Sequence, residues 1–169
     1  KKDTMTPKFH RSVSSWKLVL VFVLLPALLL SSCSERAAFD CPITLPNGQT
    51  PPGESAAQSH HGNGELYTTL WPKGEIEFRP SGPGEIREDG SLAMKFPWWR
   101  GEGIRGPIEV SGKRLDRPGQ GVTVETPAGY GDTGFQASAL VFPSEGCWEV
   151  RAQSDGAELI FVVKVVREG

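Results

Sequence analysis

The chain has 169 residues, 38% of them hydrophobic and 22% charged, an ordinary globular composition and too short for two full-sized domains. Its 20 glycines and 14 prolines fit many short strands joined by turns and speak against a helix-rich fold. The formal charge of −2 hides an asymmetry, because the first 32 residues hold five of the 18 basic and one of the 20 acidic residues, leaving 13 against 19, near −6, in the remainder. A part with that balance lacks the basic stripe that neutralises phosphates, so nucleic acid is not an expected partner.

Residues 1–17 carry Lys1, Lys2, Lys8, Arg11 and Lys17 against Asp3, and residues 18–30 (LVLVFVLLPALLL) are uncharged and apolar, followed by Ser31, Ser32 and Cys33. Basic stretch, apolar run and small residues are the three parts of a secretory signal. The apolar run falls short of the roughly 20 residues a spanning helix needs. Leu-Ser-Ser-Cys at 30–33 resembles the bacterial lipobox. That resemblance implies diacylglycerol on the Cys33 sulfur, cleavage between Ser32 and Cys33, and further acylation by palmitate-type chains. Two or three such chains hold a protein to a membrane stably. The expected address is a lipid anchor facing away from the cytoplasm, in a periplasm or at the cell surface. The expected division is a signal peptide at 1–32, a tether and irregular segment at 33–64, and a domain at 65–169.

With Cys33 assigned to lipid, Cys41 and Cys147 remain in an oxidising compartment and are expected to pair. Such a bridge closes a loop of about 105 residues and contributes about 4 to 5 kcal/mol in the chain-entropy model. Along 147–152 (CWEVRA) alternation places Trp148, Val150 and Ala152 on the buried face and Cys147, Glu149 and Arg151 on the other. The disulfide should therefore clip the N-terminal segment over the outside of a sheet or at a strand end, unlike the bridge through the core of antibody domains.

From 34 to about 64 the chain is rich in Pro, Gly, Ser and Gln and reads as irregular. Short β runs follow at 65–71, 75–78, 91–96, 107–116, 121–125, 135–142, 147–153 and 157–166. About eight strands at this spacing predict an all-β sandwich or barrel without helices. The firmest pair is the last, where Ser154-Asp155-Gly156 supplies a turn between runs rich in β-branched and aromatic residues.

Three segments, HGNGELYTTLWP at 61–72, SLAMKFPWWRG at 91–101 and GYGDTGFQASALVFPSEGCWEV at 129–150, resemble a family of uncharacterised bacterial envelope lipoproteins with an immunoglobulin-like domain. The Gly-Cys-Trp-Glu-Val strand is the most distinctive. The resemblance implies an antiparallel immunoglobulin-like β-sandwich in the cell envelope and supplies no catalytic residue.

His60 and His61 are the only histidines beyond residue 32. An envelope metal or small-ligand site using them is the alternative reading, but two neighbouring histidines in a flexible loop need ligands from elsewhere to close a metal site. Trp98 and Trp99 could offer an aromatic platform to a sugar or lipid, although alternation should bury one and leave the other partly exposed under a covering loop or Arg. In GYGDTGF, Tyr130 and Asp132 sit among glycines in a tight loop where Asp132 can bond its own backbone. A phosphate cradle there would need a following helix. Hydrolase and nucleotide motifs are absent from the part beyond residue 32, as is any indication of a cofactor. Carboxylate pairs such as Glu75 with Glu77 and Glu88 with Asp89 are expected on a solvated face. The sequence thus predicts a non-catalytic binding or structural module, presenting loops or an edge strand to an envelope protein or polysaccharide.

Overall fold

In the computed structural model, residues 39–168 are described. The segments expected to be signal peptide and, up to residue 38, tether, together with Cys33, the expected lipidation site, lie outside them. The described residues contain ten strands and no helix: β1 His60–Gly62, β2 Leu66–Thr69, β3 Glu75–Phe78, β4 Glu85–Ile86, β5 Leu92–Arg100, β6 Glu109–Arg114, β7 Thr123–Glu125, β8 Phe135–Phe142, β9 Gly146–Ser154 and β10 Ala157–Arg167. One sheet has the order β1-β2-β5-β8-β7, with β4 also paired to β5; the other has the order β3-β10-β9-β6. All pairings are antiparallel except β3 with β10, which is parallel. The expected all-β fold is therefore present as two sheets, one antiparallel and one mixed.

The sheets face each other across an aromatic core. Phe96 and Trp98 of β5 meet Phe161 of β10 at ring-centroid distances of 6.0 and 6.1 Å, and Phe142 of β8 meets Trp148 of β9 at 5.6 Å. Strand alternation supplies these residues, since Leu92, Met94, Phe96 and Trp98 share one face of β5 and Trp148, Val150 and Ala152 one face of β9. Trp98 is fully buried, and its Nε1 donates to Ser138 Oγ at 2.8 Å.

A buried arginine closes each end of the core. At one end Arg100 donates from Nε to Gly106 O (2.6 Å), from Nη1 to Gly134 O (3.1 Å) and from Nη2 to Gln136 Oε1 (2.8 Å). Gln136 in turn pairs with both backbone groups of Ile108. At the other end Arg114 lies over the Trp148 ring and forks onto Asp116, with Nε–Oδ1 at 2.7 Å. Gly146 has φ +146°, and a side chain there would run into the Arg114 guanidinium.

β5 runs past its expected limit, and β1 and β4 form where no strand was expected. The strand expected at 91–96 continues through Pro97 to Arg100. The Thr68 hydroxyl donates to Pro97 O at 2.8 Å, so the proline nitrogen points toward β2, whose ladder has already ended at Thr68 opposite Trp98. Its missing N–H therefore breaks no bond. Within the stretch read as irregular, β1 forms at its very end. The Asn47 side chain mimics a peptide group there, accepting from Gly62 N at 3.1 Å and donating to Gly62 O at 2.7 Å, while Gly48 N donates to His60 O. Residues 41–50 are thus a fixed strap that covers the outer edge of β1.

Candidate functional site

Cys41 and Cys147 form the expected disulfide, with 5.6 Å between their Cα atoms. Cys147 lies on the face of β9 opposite Trp148, outside the core, as alternation required. It is nevertheless buried, because the strap covers it. From there the strap crosses β10, where Thr44 N donates to Val162 O and Val162 N to Thr44 Oγ1, both at 2.9 Å. The disulfide lies on the outer face of the β3-β10-β9-β6 sheet, and the strap leaves that face along the edge of β10 to reach β1.

His60 and His61 correct the loop reading, because both are buried in β1. Adjacent strand positions turn them to opposite faces: His60 packs on Trp99 at 5.8 Å, on the outer side, and His61 on Phe161 at 6.3 Å, inside. The two imidazoles cannot converge on one ion, and no three His, Cys, Asp or Glu side chains come together as a metal set among the described residues. Burial lowers the pKa of His61, opposed by a backbone hydrogen bond with Leu45.

Trp98 and Trp99 split as expected between core and outer face, but Trp99 is covered to 9% exposure. Its cover is the segment before β1, from which Glu54 Oε1 accepts the indole N–H at 3.0 Å. Trp99 then packs edge-on against Phe135 at 5.4 Å, and Phe135 against Tyr130 at 5.9 Å. Four rings, His60, Trp99, Phe135 and Tyr130, form a row across the outer face of the six-stranded sheet. Its far end is open to solvent, with Phe135 44% and Tyr130 38% exposed.

Asp132 lies in the same loop, where its carbonyl accepts from Gly106 N at 2.9 Å. Its carboxylate makes no bond to its own backbone, contrary to the Asx-type turn read from the sequence. Its charge instead raises the pKa of Arg100, against the larger lowering by burial. Of the carboxylate pairs, Glu75 is bound by Lys164 at 2.8 Å and held below its usual pKa, while the neighbouring Glu168 pushes Glu77 up.

The exposed end of the aromatic row borders a groove of about 370 Å³, lined by Lys95, Glu125, Thr126, Pro127, Tyr130, Ala137, Ser138 and Ala139. Its floor is low because Ala137 and Ala139 are small and adjacent on the outward side of β8. Arg87 grips the Glu125 carboxylate with both terminal nitrogens, at 2.9 and 2.8 Å, and lowers its pKa. Lys95 is exposed and has no ion-pair partner among the described residues. Sequence reasoning found Tyr130 but missed the other lining residues. The signal available was two alanines at alternate positions of a β run, following an outward-facing Phe. The groove can hold an apolar group against Tyr130 and Pro127 beside one free cation. No protein-family model matches the chain, and no curated protein matches its sequence.

Proposed function

We propose that this chain is a bacterial envelope lipoprotein of the kind its three distinctive segments resemble, anchored through acylated Cys33 on the non-cytoplasmic side of a membrane. Its two sheets are read as an immunoglobulin-like sandwich. In support, β2-β5-β8-β7 corresponds to strands A, B, E and D, and β10-β9-β6 to G, F and C, with β3 as an A′ strand parallel to G. The domain acts as a non-catalytic binding module for a protein or polysaccharide of the envelope. The observation that carries this reading is the exposed aromatic groove on one outer face of a domain whose other outer face is strapped and ion-paired. Binding suits the lining better than catalysis, because Arg87 holds Glu125 ionised and Lys95 has no base beside it. Cys41, where the disulfide fixes the chain to β9, lies eight residues after Cys33.

Intact mass spectrometry of membrane-extracted protein, with and without reduction, tests the anchor. A mass beginning at Cys33, carrying lipid and gaining two hydrogens on reduction, is expected. An unprocessed mass without lipid would overturn the location.

A further inference from the structure

We infer that the groove receives an extended acidic peptide from a protein partner, which adds as a strand to the free edge of β8. This rests on the binding-module reading and narrows its ligand. Pairing between β7 and β8 stops at Glu125 opposite Ala139. Pro127, two residues on, has no N–H to continue the ladder, and the chain swings away until Phe135. On its other side β8 stays paired with β5 through Phe135 opposite Trp99. Phe135 and Ala137, whose backbone groups face the β7 side, therefore present donors and acceptors that no backbone group among the described residues takes up. Open edges are usually blunted by charge or bulk. This one is flanked by Ala137 and Ala139 and lies along the groove, between β8 and the loop carrying Tyr130.

An added strand supplies the missing main-chain partners and lays alternate side chains over the alanine floor, the mode by which peptides bind open sheet edges. Charge decides its composition. Glu125 is neutralised by Arg87, so Lys95 leaves the groove locally positive on a domain that is acidic overall. An acidic side chain complements Lys95, and an apolar one fits against Tyr130. At about 370 Å³ the groove accommodates a few side chains of a peptide.

The test uses the full chain in detergent and blocked pentapeptides: Val-Glu-Val-Glu-Val, its lysine counterpart, and two isomers of the acidic peptide N-methylated on alternate amides. Nuclear magnetic resonance titration should show the acidic peptide binding at least about tenfold more tightly than the basic one. Lys95→Glu should reverse that order with an unchanged melting temperature. One N-methylated isomer should lose about tenfold in affinity, and the amides of Phe135 and Ala137, which face the open edge, should gain exchange protection. The inference falls if neither peptide binds at millimolar concentration, if both N-methylated isomers bind unimpaired, or if only a soluble envelope glycan shifts residues 137–139. Absence of peptide binding from a lipidated protein whose groove still cross-links to envelope material overturns strand addition alone. Absence of both lipid and cross-links overturns the binding-module reading as well.

Discussion

On the outer face of the β3-β10-β9-β6 sheet, charges stand opposite one another: Lys113 meets Glu149 at 3.0 Å, Lys164 meets Glu75 at 2.8 Å, and Arg151 reaches Glu158. The strap crosses this face and is covalently fixed to it at Cys147. The outer face of the other sheet carries His60, Trp99, Phe135 and Tyr130 in a row, the alanine floor and an unpaired Lys95. Cross-strand ion pairs and a covalent strap occupy much of the first face, on which Ile160 is the exposed apolar side chain of β10. Exposed rings beside a low floor leave surface whose burial is still favourable. The contrast separates a face that maintains the domain from one available for recognition.

Substitutions should break this contrast in graded steps. The largest loss is expected from Cys41→Ala with Cys147→Ala: opening a loop with a sequence separation of 106 should cost about 4 to 5 kcal/mol in urea unfolding, and the strap should then become protease-sensitive. Next comes Arg100→Met, which takes one donor each from Gln136, Gly106 O and Gly134 O at the end of the core and should cost about 1 to 3 kcal/mol. On the recognition face, Tyr130→Ala should cost no more than about 0.5 kcal/mol while weakening binding at the groove. On the other face, Lys113→Ala should change stability by less than about 0.5 kcal/mol and leave binding intact.

Acidification separates two further contributions. His61 has a lowered pKa in the folded state, so the unfolded chain takes up a proton first. The stability associated with neutral His61 is present above its ordinary value near 6.5 and is lost as pH falls through the folded value. Melting temperature should decline from about pH 7 downward, and His61→Leu should flatten that decline. The carboxylates of Asp116, Glu75 and Glu125, held low by Arg114, Lys164 and Arg87, withdraw their support only below the ordinary carboxylate range. Glu77, pushed up by Glu168, works in the opposite direction.

Most of the strand content was legible in the chain. The run at 135–142 coincides with β8 and the run at 75–78 with β3, because alternation and flanking turn residues marked both ends. Asp155 and Gly156 form the two-residue turn between β9 and β10, with φ of 50° and 80°, as Asp-Gly in a hairpin leads one to expect. Cys147 was placed on the correct face by the same period-two logic. Three features escaped. β1 has three residues and takes its stability from Asn47 and Thr69, far from it or outside any local pattern. Trp99 is covered by Glu54, 45 residues away. The groove joins β5, β7, β8 and a loop, and only the register of β7 against β8 reveals the open edge. Sites assembled from such pairings leave little trace in residue order.

A photo-cross-linking amino acid at Thr126, beside the groove, compared with the same residue at Lys113 on the strapped sheet, tests the division of faces most directly. In cells carrying the anchored protein, Thr126 should cross-link to one discrete partner, and Tyr130→Ala should diminish that product, while Lys113 yields none. Equal products from the two positions, or a product from Lys113 alone, would contradict the assignment of recognition to the aromatic face.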